Sequence, residues 1–308
     1  MTARFELWII FGIAIAAMLY YDLFIQNKKA HTVSMREALG WAAVWVGAAL
    51  LFCIGIYFML GNVKALEFLT GYVIEKSLSV DNIFVFIMIF EYFRIPPSYQ
   101  PRVLKWGILG AIIMRGIFIG AGVGLFKAFD WIIYVFGAFL IFTAVKLAMR
   151  KEEKFDPEKN PVLRLFRRFF RVNPEYHGDR FFVSHSGLWS ATPLFIALLM
   201  IESSDVIFAM DSIPAVLAIT TDPFIVYTSN IFAILGLRSL FFVISGMMGA
   251  FRYLKLGISI ILCFVGVKML ISKVYEIPIT VSLGIIFGII ASSILLSIIH
   301  RDKRNIPH

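Results

Sequence analysis

Nine apolar runs, each of 18 residues or more, fill most of this 308-residue chain. They lie at roughly 7–25, 38–60, 66–93, 103–126, 130–149, 189–219, 224–248, 254–273 and 278–299. Runs of that length match the hydrocarbon core of a bilayer as single helices. The connections between them are mostly too short to build a domain outside the membrane. A mean hydropathy of +0.84 excludes an ordinary soluble domain. The expected fold class is therefore an all-α membrane protein with about nine transmembrane helices, one transmembrane domain over 1–308. The chain opens "MTARFELW", with Glu6 ahead of the first run and no small-residue cleavage site, so the first helix reads as retained. Cys53 and Cys263 both fall inside predicted spans, which implies small apolar packers and no disulfide framework.

Charge placement gives the topology. With the C-terminus cytoplasmic and the N-terminus outside, inner segments hold 20 Lys and Arg and outer segments hold 4; five more lie within spans, making up the total of 29. That asymmetry is a positive-inside signal. The net charge of +9 then reflects topology and anionic lipid, not nucleic acid. The longest connection, 150–188, is placed in the cytoplasm. Within it Arg164, Arg167, Arg168 and Arg171 recur at helical spacing among Leu163, Leu165, Phe166, Phe169 and Phe170. Asn160 suits a cap and Pro161 a first turn. An amphipathic helix near 161–171, lying on the inner leaflet, is expected; docking of a membrane-protein partner is the alternative use.

The chain also repeats itself. With Asp81 laid on Asp205, "SVDNIFVF" aligns with "SSDVIFAM". The following helices match around Arg115 and Arg238, and the next around Lys146 and Lys268. The three anchors keep register to within one residue. Residues 66–149 and 189–273 therefore read as two copies of a three-helix unit (helices 3–5 and 6–8). Helices 1, 2 and 9 would be peripheral. The first copy enters the membrane from outside and the second from inside, so the copies are inverted. Inverted repeats with a site at the midplane are a transporter arrangement.

Five carboxylates and five cations interrupt the spans. An ionisable group near the bilayer centre costs about 3 kcal/mol or more, so such groups pair, face the bundle interior or mark a pathway. The cations Lys76, Arg115, Lys146, Arg238 and Lys268 suit structural ion pairs. The carboxylates are more concentrated. Glu202 and Asp205 share a helix face, Asp211 follows about 9 Å along the axis, and Pro214 frees a carbonyl. In helix 3, Glu75, Ser79 and Asn82 form a polar stripe with Asp81 on its flank. Glu75, Asp81, Asn82, Glu202, Asp205 and Asp211 form an oxygen-only ligand set, which suits Mg²⁺, Ca²⁺ or Mn²⁺. The five histidines lie away from the middle of the spans. Two readings of the cluster stand, a cation site and mutual neutralisation. Asp22, near the inner end of helix 1, is either interfacial or an inner gate. Gly116, Gly120 and Gly124, and Gly284 and Gly288, predict close helix packing.

"EKSLSVDNIFVF" (75–86), "ESSDVIFAMDSIPAVLAIT" (202–220) and "NIFAILGLRSLFF" (230–242), with "DLFIQNKKAHTVSMREAL" (22–39), resemble the TerC family, and within it the Alx-like members. The resemblance covers nearly the whole chain. It implies a bacterial inner-membrane protein concerned with Mn²⁺ export or with supplying metal to exported proteins. It also implies that Glu75, Asp81, Asn82, Glu202, Asp205 and Asp211 line the metal pathway. The expected function is a divalent metal-ion exporter, with Mn²⁺ as cargo, no fixed cofactor, and protons as a plausible coupling ion. The alternative is a metal-supply accessory protein without net transport. An enzyme is not expected: intramembrane aspartyl proteases carry G-x-G-D, whereas Asp205 follows "IESS" and Asp211 follows "IFAM".

Overall fold

A computed structural model describes residues 2–20, 33–129, 131–149, 160–173, 175–185, 188–246 and 253–299. The described chain forms α1 (Thr2–Tyr20), α2 (Met35–Leu60), α3 (Asn62–Tyr92), α4 (Gln100–Ala128), α5 (Ile132–Met149) and α6 (Pro161–Phe169). Three short strands follow, β1 (Arg171–Val172), β2 (Phe182–His185) and β3 (Leu188–Ala191). Then come α7 (Pro193–Leu217), α8 (Pro223–Leu235), α9 (Leu237–Ser245), α10 (Leu254–Ile271) and α11 (Ile279–Ile299).

Local chemistry sets the ends. Ser34 accepts from Glu37 N–H at the start of α2, and Asp222 accepts from Phe224 N–H ahead of Pro223 in α8. Gly61 joins α2 to α3 at φ +89°, a conformation other residues rarely adopt. Asn160 accepts from Val162 and Leu163 N–H, as its place before Pro161 predicts for a cap.

Six helices are long and apolar enough to cross a membrane alone: α2, α4, α5, α7, α10 and most of α11. The bent pair α8–α9 makes a seventh. α1 offers a shorter apolar stretch, Phe5–Tyr20. α3 has 31 residues, but Lys64, Glu67, Glu75, Lys76, Asp81 and Glu91 leave no 18-residue window with fewer than three charges. The chain is thus a mostly helical, multi-pass membrane protein, with six to seven spans by length and hydropathy.

Two expectations need correction. The fold is not purely helical: β1, β3 and β2 form a three-stranded sheet in that order, β3 pairing parallel to β1 and antiparallel to β2. Aromatic and β-branched residues in "RFFVSH" favour extended pairing there. The packing glycines are also different ones. A Cβ at Gly120, Gly124, Gly284 or Gly288 would meet nothing within 4 Å. Those positions are exposed, so their spacing marks an outward face. Only Gly116 sits against a side chain, the Tyr227 ring. Close approach occurs instead between α5 and α10, where a Cβ on Gly137 would lie 3.0 Å from Gly266 O, and one on Gly266 would lie 2.8 Å from Gly137 O.

The run 224–248 is broken at Gly236, where α8 and α9 meet at 41°. Lys76 Nζ, from α3, donates to Ala233 O at 3.2 Å beside the break. A side chain inserted into the carbonyl ladder is a recognised cause of a kink. Gly236 leaves the space: any Cβ there would overlap Lys76 Nζ.

α3 lies centrally, packed on α2, α7, α8 and α11, while α4 packs on α7 and α8. This brings the acidic segments of α3 and α7 together beside α4. The sheet region is tied to the α3–α4 connection by Tyr176 Oη, which donates to Phe93 O at 2.5 Å, and by the Arg102–Asp179 pair. α6 lies along α7. Its Asn160 amide donates to Ser203 Oγ at 2.9 Å, and the Phe166 ring packs tilted against Phe195 at 5.3 Å between centroids.

Candidate functional site

A deeply buried charged group is built around Arg115, in the middle of α4. Its Nη2 donates to Asp205 Oδ1 at 2.9 Å and its Nε to Asp205 Oδ2 at 3.2 Å. Its Nη1 donates to Glu75 Oε1. Ser212 Oγ and Asn230 Oδ1 each stand 3.4 Å from the same Nη1. Arg115, Glu75 and Asp205 are 1%, 0% and 3% exposed. The planar guanidinium is suited to this two-pronged grip on a carboxylate. Four helices therefore meet at one cation: α3 through Glu75, α4 through Arg115, α7 through Asp205 and Ser212, and α8 through Asn230.

The group is not fully paired. Glu75 Oε2, Asn230 Nδ2 and Tyr72 Oη are buried with no hydrogen-bond partner. Buried polar atoms without partners are uncommon and costly in a folded protein.

Glu202 sits one turn from Asp205, whose charge is close enough to repel its own. Its carboxylate occupies the place that a Cβ on Gly110 of α4 would take. Asp211 faces another way. Thr143 Oγ1 donates to it at 3.0 Å, and Lys146 lies beside it, both on α5. Ser212, one residue on, turns toward Arg115, as the 100° step between helix neighbours requires. Asp81 is partly buried on α3, and Asn82 is 2% exposed. Ser79 Oγ is turned back to Glu75 O at 2.7 Å. Pro214 is buried inside α7, which continues to Leu217.

The structure thus joins Glu75, Asp205 and Arg115, sets Glu202 beside them, and places Asp211 on the α5 side. Among the described residues, no three His, Cys, Asp or Glu are grouped as metal ligands. The remaining cations differ in setting. Arg238 is 5% exposed on α9. Lys268 donates to Ser282 Oγ of α11 at 3.0 Å, whereas Lys146 is exposed. Asp22 lies outside the described residues. Sequence reasoning missed Tyr72, Ser212, Asn230 and Gly110. The run "TSN" (228–230) inside an apolar helix was the available signal for Asn230.

The chain resembles several bacterial membrane proteins along its whole length. It is 52% identical over 293 residues to the uncharacterized membrane protein STKORF319 of Myxococcus xanthus, covering 95% of this chain and 92% of that one. It is 48% identical over 310 residues to a Salmonella typhi protein, covering 97% and 96%. Over 300 residues it is 47% identical to one from Escherichia coli K12, covering 94% of each. Both of these carry the name Alx and are described as a proposed membrane-bound redox modulator. No solved structure matches. The profile of the integral membrane protein TerC family matches residues 60–305, so the chain is a member of that family.

Proposed function

We propose that this protein moves a divalent metal ion, with Mn²⁺ as the first candidate, across the bacterial inner membrane. The observation that carries the reading is the convergence of carboxylates from α3 and α7 on one buried group within membrane helices. Ionisable groups in that setting mark ion or proton pathways more often than they serve packing alone. The donors are hard oxygens, which suit Mn²⁺, Mg²⁺ or Ca²⁺. Glu202, half-buried beside Asp205, supplies a further carboxylate within one helical turn. The sequence repeat supports two inverted three-helix units with the acidic helices at their shared centre. The charge bias supports nine spans with the N-terminus outside and the C-terminus in the cytoplasm. In this reading the same carboxylates carry H⁺ when they are not holding metal, which couples export to protons.

The test is flux of Mn²⁺, Mg²⁺, Ca²⁺ and Zn²⁺ in proteoliposomes of the purified chain alone, with and without a pH gradient. Metal-dependent flux is expected for the wild type and is lost in Asp81→Asn and Glu202→Gln. Absence of flux for every ion in the wild type, with protein folded and inserted, rejects transport in favour of a metal-supply role.

A further inference from the structure

We infer that the Arg115 guanidinium is a tethered stand-in for the transported cation, which the ion must displace to bind. The inference rests on the transport reading above.

Three of the four carboxylate oxygens of Glu75 and Asp205 are engaged by Arg115. Only Glu75 Oε2 is left over, and it is buried without a partner. One free oxygen cannot hold a hard divalent ion, which takes six or more oxygen ligands. Arg115 and a metal ion therefore compete for these carboxylates. Charge says the same. Two carboxylates and one guanidinium sum to −1, whereas two carboxylates and a divalent ion sum to zero. Adding the ion without moving Arg115 brings these three groups to a net +1, which burial disfavours and which only the neighbouring Glu202 carboxylate could offset.

The neighbourhood provides for the exchange. Ser212 Oγ and Asn230 Oδ1 stand 3.4 Å from Nη1, at the long edge of hydrogen bonding. Short shifts of the flexible arginine side chain would give it these neutral acceptors while it leaves the carboxylates. Asn230 Nδ2, buried and unpartnered on the residue whose Oδ1 faces Arg115, is free to bond water arriving with the ion. A purely structural ion pair needs none of these idle groups. In the empty carrier Arg115 keeps the two carboxylates from repelling each other. In the loaded carrier the metal ion does so.

The experiment compares Arg115→Gln and Arg115→Lys with wild type, using the full chain in detergent. Mn²⁺ binding is read from the loss of the free-ion electron paramagnetic resonance signal, and folding from thermal unfolding with and without Mn²⁺. Arg115→Gln should be less stable without metal, regain stability with Mn²⁺, and bind it at least about tenfold more tightly than wild type, since a competing charge is gone. Adding Glu75→Gln should abolish that gain. Arg115→Lys, with a single-point grip, should fall between. If Arg115→Gln is unfolded with and without Mn²⁺ and Arg115→Lys binds as wild type does, Arg115 is a structural ion-pair partner and the inference fails. If Arg115→Gln is folded and its Mn²⁺ affinity is unchanged while wild-type flux persists, the stand-in role is overturned and transport survives. Loss of wild-type flux for every ion rejects transport itself, whatever the binding data show.

Discussion

Two helix pairs in this protein use the same device with opposite charge. On one side, Glu202 of α7 lays its carboxylate where Gly110 of α4 has no side chain. On the other, Lys76 of α3 lays its ammonium where Gly236, between α8 and α9, has none. The sequence repeat sets the two sides over each other but does not make them equal. With Asp81 on Asp205, Lys76 falls on Met200 and Glu202 on Leu78. With Arg115 on Arg238, Gly236 falls on Ile113 and Gly110 on Ala233. Each copy thus has its own charge and its own glycine. The outcomes differ too. Lys76 is bonded to Ala233 O near the end of α8, where carbonyls lack helical partners and a cation is favoured. Glu202 faces a second carboxylate, Asp205. A charge held by its surroundings fixes a kink, whereas two carboxylates one helical turn apart repel each other. α4 accordingly runs unbroken for 29 residues, while its matched segment bends by 41°.

The largest effect should come from cutting the pair that both devices flank. Asp205→Ala leaves Arg115 with one of its two carboxylate partners, and breaking a buried ion pair from one side costs about 3–5 kcal/mol. Thermal unfolding in detergent measures it. A loss no larger than that of Asp81→Ala, at a less buried position, would show that Asp205 does not anchor Arg115.

Next come the two flanking charges. Lys76→Met removes the donor from Ala233 O and should cost about 1–3 kcal/mol. Metal affinity should hardly change. Glu202→Gln removes a repelled charge, so stability should hold or rise while Mn²⁺ flux falls at least tenfold, the factor that about 1.4 kcal/mol represents. Both chemical readouts on both variants are needed. Equal behaviour of the two would erase the distinction between a structural and a functional charge.

What the sequence disclosed about these regions follows from what kind of information it holds. Apolar length is local, so α2, α4, α5, α7, α10 and α11 could be read directly. The break at Gly236 could not: "AILGLRS" carries no proline, and the agent is Lys76, 160 residues away in the chain. The sheet escaped notice because its strands hold two to four residues each. In the site, charge in an apolar run drew attention to Glu75, Arg115, Glu202, Asp205 and Asp211. Which carboxylate meets which cation is a tertiary matter. Asp211 shares α7 with Asp205 yet turns to Thr143, because six residues on a helix rotate a side chain well away from its neighbour. Neutral groups such as Tyr72 and Asn230 stood out least, since isolated hydroxyls and amides are ordinary in membrane helices.

The smallest expected effect is also the sharpest test of the kink. Gly236→Ala places a methyl group where Lys76 Nζ now sits, with Trp45 Cβ at 3.3 Å on the other side. Lys76 is a flexible chain and can withdraw, so the clash is relieved at the expense of its bond to Ala233 O. Against that loss stands a gain: alanine is favoured over glycine in a helix by about 0.8–1.0 kcal/mol. The backbone at Gly236, φ −81° and ψ −1°, accepts alanine without strain. The two terms nearly cancel, and stability should change by less than about 1 kcal/mol. In the Lys76→Met background the bond is already gone. There Gly236→Ala should show a net gain, provided methionine packs aside. The two substitutions should therefore be non-additive by about 0.5–3 kcal/mol, the range seen for residues in contact. Strict additivity across this double-mutant cycle would mean that Lys76 does not hold the break, and the kink would need another cause.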